Sequence, residues 1–308
     1  MSDPSDSSFS HADRDQALQF DPVMRDIPRE VRNILQPVRM EGESHFQFRC
    51  HPGVACFNAC CANIEIILTP YDILRLRRRL NITAETFLYE YATPYTLAKG
   101  QLPVPLIRLD EDTGKCPFNT PEGCSVYSDR PVACRYYPIG LALMRPDTAN
   151  TNEEFFYLVK ESFCMGHQET TSWTIDSWRK DQGSDGYDAR NKGWMEVILK
   201  RRSAGDEVRT SMQLSEFFYM ASTDTEEFRR FLFQSSFLER FDVPEETIER
   251  LRTDDEALLD FAFDWLKTVL FGDKKVGVRP EALKRKAERR AAAASEADAD
   301  PDADPEST

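Results

Sequence analysis

The sequence predicts an α+β fold: a small, loop-rich cysteine-cluster domain with short strands and helices, followed by a mainly helical region. Three observations carry this. All eight cysteines lie between Cys50 and Cys164, among most of the prolines and turn signals. Short apolar runs bounded by turn residues occur in the same region and read as strands. From about Trp173 onward cysteine is absent, and apolar residues recur at three- and four-residue intervals, as on helices that bury one face.

In chain order, residues 1–25 are rich in Ser and Asp with little apolar periodicity and read as a disordered lead, the organised chain starting near Ile27 or Val31. Residues 26–172 form the expected cysteine-cluster domain. Within it Thr69-Pro70 reads as an N-cap with proline at the first helical position, opening a helix through Leu80. Thr83 caps a second helix to about Tyr91. Strands are expected at Val104 to Leu109, Ile139 to Met144 and Phe155 to Val159, with the cysteines mainly in the loops between. The helical region, 173–272, contains WTIDSWRK, YDARNKGWMEVILKRR, SMQLSEFFYMA, TEEFRRFLFQSSFLERF and DDEALLDFAFDWLKTVLF. Residues 273–308 pass from a basic, Ala-rich stretch to an Asp/Pro tail that cannot build a core and reads as disordered. No internal repeat is visible.

At 308 residues, 41% of them hydrophobic and 30% charged, the chain has ample material for a core and needs no disulfide staples. The polar, acidic start MSDPSDSSFSHADRDQALQF lacks the features of a secretory signal, so a cytoplasmic, reducing location is the expectation. There, clustered thiols are metal ligands or catalytic groups more often than disulfides. A formal charge of −14 argues against nucleic-acid and anionic-membrane surfaces. No segment approaches the length of a membrane span. The run LRLRRRL, Leu74 to Leu80, is the candidate for a local basic patch, and it reads as a solvated helix face.

The cysteines divide evenly along the chain: Cys50, Cys56, Cys60 and Cys61, then Cys116, Cys124, Cys134 and Cys164. A thiolate centre, tetrahedral zinc or an iron–sulfur cluster, takes four sulfurs, so eight could serve one site with accessories or two sites. In extended chain the vicinal pair would point to opposite faces, which gives Cys60 and Cys61 different partners. The alternative is that one of them is simply a buried apolar cysteine. Proline or glycine stands near Cys116, Cys124 and Cys134, as in turns that aim thiolates inward. Arg130 and Arg135 flank Cys134, as thiolate-stabilising cations or as structural ion-pair partners. His51 and His167 stand near Cys50 and Cys164 as candidate substitute ligands, although eight thiols already suffice. No CxxC occurs, which disfavours a simple zinc ribbon, and the irregular spacing fits an iron–sulfur cluster at least as well. A radical-SAM CxxxCxxC begins at Cys56 and Cys60 but would need cysteine where Asn63 stands. No GxGxxG or P-loop is present.

These residues carry a resemblance. The vicinal CC followed by an aliphatic run and TPYDILRL, then CPF…GCSVYSDRPVACRYYP and a later cysteine, resemble the YkgJ-type cysteine-cluster family over about residues 45 to 170. That family is a zinc- or iron-chelating domain related to flagellin lysine N-methylase. The resemblance implies that all eight cysteines form the metal site, although the first group is more openly spaced here than is common in the family. The expected function is a cytoplasmic metalloprotein binding an iron–sulfur cluster or Zn2+. The alternatives are a protein-modifying enzyme of the lysine N-methylase kind, or a zinc-braced interaction module. The expected partners are a metal ion or cluster, with a protein as a further candidate, and neither nucleic acid nor membrane.

Overall fold

The computed structural model describes residues 35–96, 102–144, 153–204, 211–282, 284 and 288. The expected disordered lead, and the tail from residue 289 on, lie outside the described residues. The chain divides into two compact units, residues 1–208 and 209–308. Each is a mixture of helices and small sheets, the α+β class read from the sequence. Among the described residues no helix is long and apolar enough to cross a membrane.

The first unit opens with β1 (Leu35–Met40) and β2 (His45–Gln47). After the first cysteine-bearing loop come α1 (Pro70–Leu80) and α2 (Ala84–Tyr91), where the Thr69-Pro70 and Thr83 signals place them. The cap of α1 is reciprocal. Asp72 N–H donates to Thr69 Oγ1 at 3.2 Å, and Thr69 N–H donates to Asp72 Oδ2 at 2.9 Å. The hairpin β3 (Ala92–Tyr95) and β4 (Val104–Ile107) follows, then the miniature hairpin β5 (Asn119–Thr120) and β6 (Gly123–Cys124). Next come α3 (Val132–Tyr136), β7 (Ile139–Met144), β8 (Glu153–Val159), β9 (Ser172–Thr174), α4 (Ile175–Gln182) and α5 (Ser184–Ser203). One antiparallel sheet has the order β1-β8-β7, and β2 pairs with β9.

Two apolar clusters result. One gathers Phe46 of β2 and Phe48 just after it with Ile139, Phe156, Leu158, Ile175 and Trp178, and Cys164 packs on its edge. The other gathers Leu68, Ile73, Leu76, Phe87, Ile107, Phe118 and Val126, and Cys116, Cys124 and Cys134 pack on its edge. The helices α4 and α5, grouped on composition with the helical region, lie within the first unit.

Asp72 ties the second cluster to the rest. Besides its part in the α1 cap, its Oδ1 accepts the Val132 N–H at 2.9 Å, so one fully buried carboxylate caps both α1 and α3. Arg75 pairs with Asp129 and Arg77 is buried, so the arginine run LRLRRRL serves in part as a packing face rather than a purely solvated one.

The second unit is helical around Trp265. It comprises α6 (Met212–Thr223), α7 (Thr225–Gln234), α8 (Phe237–Arg240), the two-residue strand β10 (Phe241–Asp242), α9 (Glu245–Leu251), α10 (Asp255–Phe271) and β11 (Gly277–Val278). Trp265 of α10 meets Phe217, Phe228, Phe231, Phe237 and Phe241 with ring centroids 5.5 to 6.3 Å apart. The segment TEEFRRFLFQSSFLERF reads as one helical pattern but breaks at Ser235. That residue is extended, and its hydroxyl accepts the Phe237 N–H, the backbone competition typical of serine. Within the segment counted with the tail on composition, β11 pairs with β10.

Replacing Asp72 by Ala removes the acceptor for two helix caps and leaves their N–H groups buried. We expect a loss of about 2–3 kcal/mol, from roughly 1 kcal/mol per cap plus the desolvation of orphaned donors. Asp72→Asn, which keeps one acceptor oxygen, should recover part of it, as read by urea unfolding of the full chain.

Candidate metal centre

The cysteines sit on turns, and the backbone decides which turns meet. After Cys61 the chain pairs with the strip before Cys116. Cys116 N–H donates to Cys61 O at 2.8 Å, Asn63 N–H donates to Gly114 O at 2.9 Å, and Ala62 bridges Lys115. The β5–β6 hairpin then folds Cys124 back, with the Ser125 N–H on Phe118 O, and the Asp72-capped α3 delivers Cys134. A separate set of bonds closes the other end. Beyond the β2–β9 ladder, Phe48 N–H donates to Thr171 O at 2.9 Å and Arg49 N–H donates to Gly166 O at 3.0 Å. This brings Cys50 beside Cys164, and the Met165 N–H donates to Cys56 Sγ at 3.1 Å.

Both meeting points need glycine. A Cβ on Gly166 would stand 2.7 Å from the Phe48 ring and 3.1 Å from Arg49 O. Gly114 has φ +66 and faces the Asn63 side chain too closely for any Cβ.

The electrostatics follow these neighbourhoods. Burial pushes the Cys50 thiol up to about 11, and the nearby Cys60, Cys56 and Cys164 add to the rise. Burial also raises Cys164, reinforced by Cys56 and Cys60 and opposed by hydrogen bonds from Tyr137 and the Gly166 N–H. Cys134 is pushed up to about 12 by burial, with Asp72, Cys116 and Cys124 adding and Arg130 opposing. Burial raises Cys116 and Cys124 as well. The vicinal pair joins the two neighbourhoods. The adjacent Cys60 and Cys61 thiols interact, which lowers Cys60 and raises Cys61, while Cys61 also feels the charges of Cys116 and Cys134.

Backbone N–H groups two residues on oppose the rise of three cysteines: Phe118 for Cys116, Val126 for Cys124 and Gly166 for Cys164. Donors of this kind stabilise a thiolate and tune a metal–sulfur centre. All eight cysteines are free thiols. No three of the described His, Cys, Asp or Glu side chains stand, as they are, close enough together to hold a metal ion. The donor chemistry nevertheless suits a soft cation: eight sulfurs on two groups of turns, with N–H groups already aimed at them.

Residues 49–165 match the family described as "CxxCxxCC: Putative zinc- or iron-chelating domain". This segment is similar to that cysteine-cluster domain. No curated protein and no solved structure matches the chain. The match ends at residue 165, so β9, α4, α5 and the second unit all lie outside it.

Several candidate residues take other parts in the cysteine-cluster domain. Arg135 is a structural tie. It donates to Arg130 O at 3.0 Å, Gln182 O at 2.7 Å and Tyr187 OH at 3.0 Å, and stacks 4.2 Å from the Tyr187 ring. Arg130 acts on the thiols, since its charge opposes the rise of both Cys124 and Cys134. His167 Nε2 lies 3.0 Å from Val159 O and its ring rests on Phe48, and burial lowers its pKa. His51 Nδ1 accepts the Gly53 N–H, and Nε2 is 3.5 Å from Glu169. Cys60 and Cys61 lie in a short 3-10 turn, Ala59–Cys61, so the extended-chain premise is corrected. Their divergence comes from that turn's roughly 120° step per residue. Tyr137 was not singled out from sequence. Its OH donates toward Glu161 Oε2 at 2.9 Å beside Cys164, a contact with no local signal.

Gly166→Ala should lose about 1–3 kcal/mol in urea unfolding through overpacking against Phe48. Gly186→Ala, in α5 with open space around it, should gain up to about 1 kcal/mol. A pH dependence follows from the raised thiols. Cys50 at about 11 and Cys134 at about 12 hold their protons at neutral pH, and metal ligation must expel them. Apparent affinity should therefore fall as pH falls, by about tenfold per unit for each thiol that must ionise. Proton release during Zn2+ titration in weak buffer reads this directly.

Proposed function

We propose that the cysteine-cluster domain is a metalloprotein module that binds an iron–sulfur cluster or zinc through Cys50, Cys56, Cys60, Cys61, Cys116, Cys124, Cys134 and Cys164. One observation carries this reading: separate backbone pairings bring turns that bear cysteines up to 114 residues apart in sequence beside one another. Crowded thiols of raised pKa repel one another once ionised, and a cation reverses that balance. The bound metal would brace the turns between the two apolar clusters, where the backbone ladders are only two or three residues long. A reducing compartment belongs to this reading, since it keeps eight thiols available.

The test is anaerobic purification of the full chain followed by iron, zinc and acid-labile sulfide analysis, then unfolding with and without chelator. The expected outcome is a stoichiometric metal whose removal destabilises the first unit. Protein that carries neither metal, and whose unfolding is unmoved by added Zn2+ or by cluster reconstitution, overturns the reading.

A further inference from the structure

The eight cysteines are drawn together in a different grouping from their order along the chain. The β2–β9 ladder with the Arg49–Gly166 bond sets Cys50 against Cys164, and Met165 N–H reaches Cys56. The Cys61–Cys116 and Asn63–Gly114 bonds set Cys61 against Cys116, and the turns after it bring Cys124 and Cys134. Packing agrees: Cys164 borders the Phe48 cluster, whereas Cys116, Cys124 and Cys134 border the Leu68–Phe118 cluster. Resting on the metal-binding reading above, we infer that the domain builds two separate four-sulfur centres, Cys50/Cys56/Cys60/Cys164 and Cys61/Cys116/Cys124/Cys134, joined through the vicinal pair.

Each set draws three members from one end of the cysteine-rich stretch and one from the other, so Cys164 and Cys61 have exchanged groups relative to the sequence order. One peptide bond links the two centres. Closing one therefore restricts the position of a ligand of the other.

The experiment is a set of paired serine variants in the full chain, purified anaerobically, with metal per chain as the readout. Cys50→Ser with Cys164→Ser should lose half the metal, as either single variant does, because both belong to one centre. Cys116→Ser with Cys164→Ser should lose all of it. If the first pair loses all and the second only half, the centres follow chain order and the inference is wrong. If every single variant loses all, one centre uses both sets, which overturns the partition and leaves metal binding standing. Wild-type protein that binds no metal overturns both. Should the variants fail to fold, Co2+ titration of the wild type decides through its thiolate charge-transfer band. Saturation at two equivalents supports two centres, and saturation at one overturns them.

Discussion

Holding like thiols close together in half-buried turns is uphill, and the first unit is arranged around that constraint. Burial, with neighbouring sulfurs adding to it, lifts the Cys50 and Cys134 thiols above their ordinary value. The fold answers with N–H donors aimed at sulfur, the Arg130 guanidinium beside Cys124 and Cys134, and backbone pairings that hold the turns regardless of protonation. The remaining charge balance is what a cation would supply.

The SDRP stretch shows how the surrounding residues serve this end. Asp129 is held by Arg75 of α1, and Arg130 stacks 3.9 Å from the Tyr127 ring while donating to Tyr127 O. Pro131 precedes α3, whose first N–H lands on Asp72. Arg135 then ties the loop to the end of α4 and to Tyr187 of α5. Each contact fixes the path of the backbone on one side of Cys124 or Cys134. The density of motif residues here reflects the need to position two thiols on a segment with almost no regular structure.

Helix starts were legible because their causes are local. Thr69-Pro70 with Asp72, and Thr83 with Thr86, write their own capping geometry into neighbouring residues. The β7 strand, Ile139–Met144, was equally legible from its apolar run. The break at Ser235-Ser236 and the short α9 were missed, although Pro244 before Glu245-Glu246 is itself a start signal. The strands β2, β5 and β6 were not legible, since two or three residues carry no periodicity and exist only through their partners.

The sequence by itself determined that eight thiols would share one loop-rich region, that capped helices would flank it, and that the remainder would be helical. These follow from residue type and short-range spacing. Which thiols become neighbours was decided by tertiary structure alone. Pairing of β2 with β9 spans more than 120 residues, and the contact between the Cys61 and Cys116 strips spans over 50. Contacts at such separation leave no mark in local pattern. They depend on where two distant backbones find hydrogen-bond partners, and on Gly114 and Gly166 letting them approach.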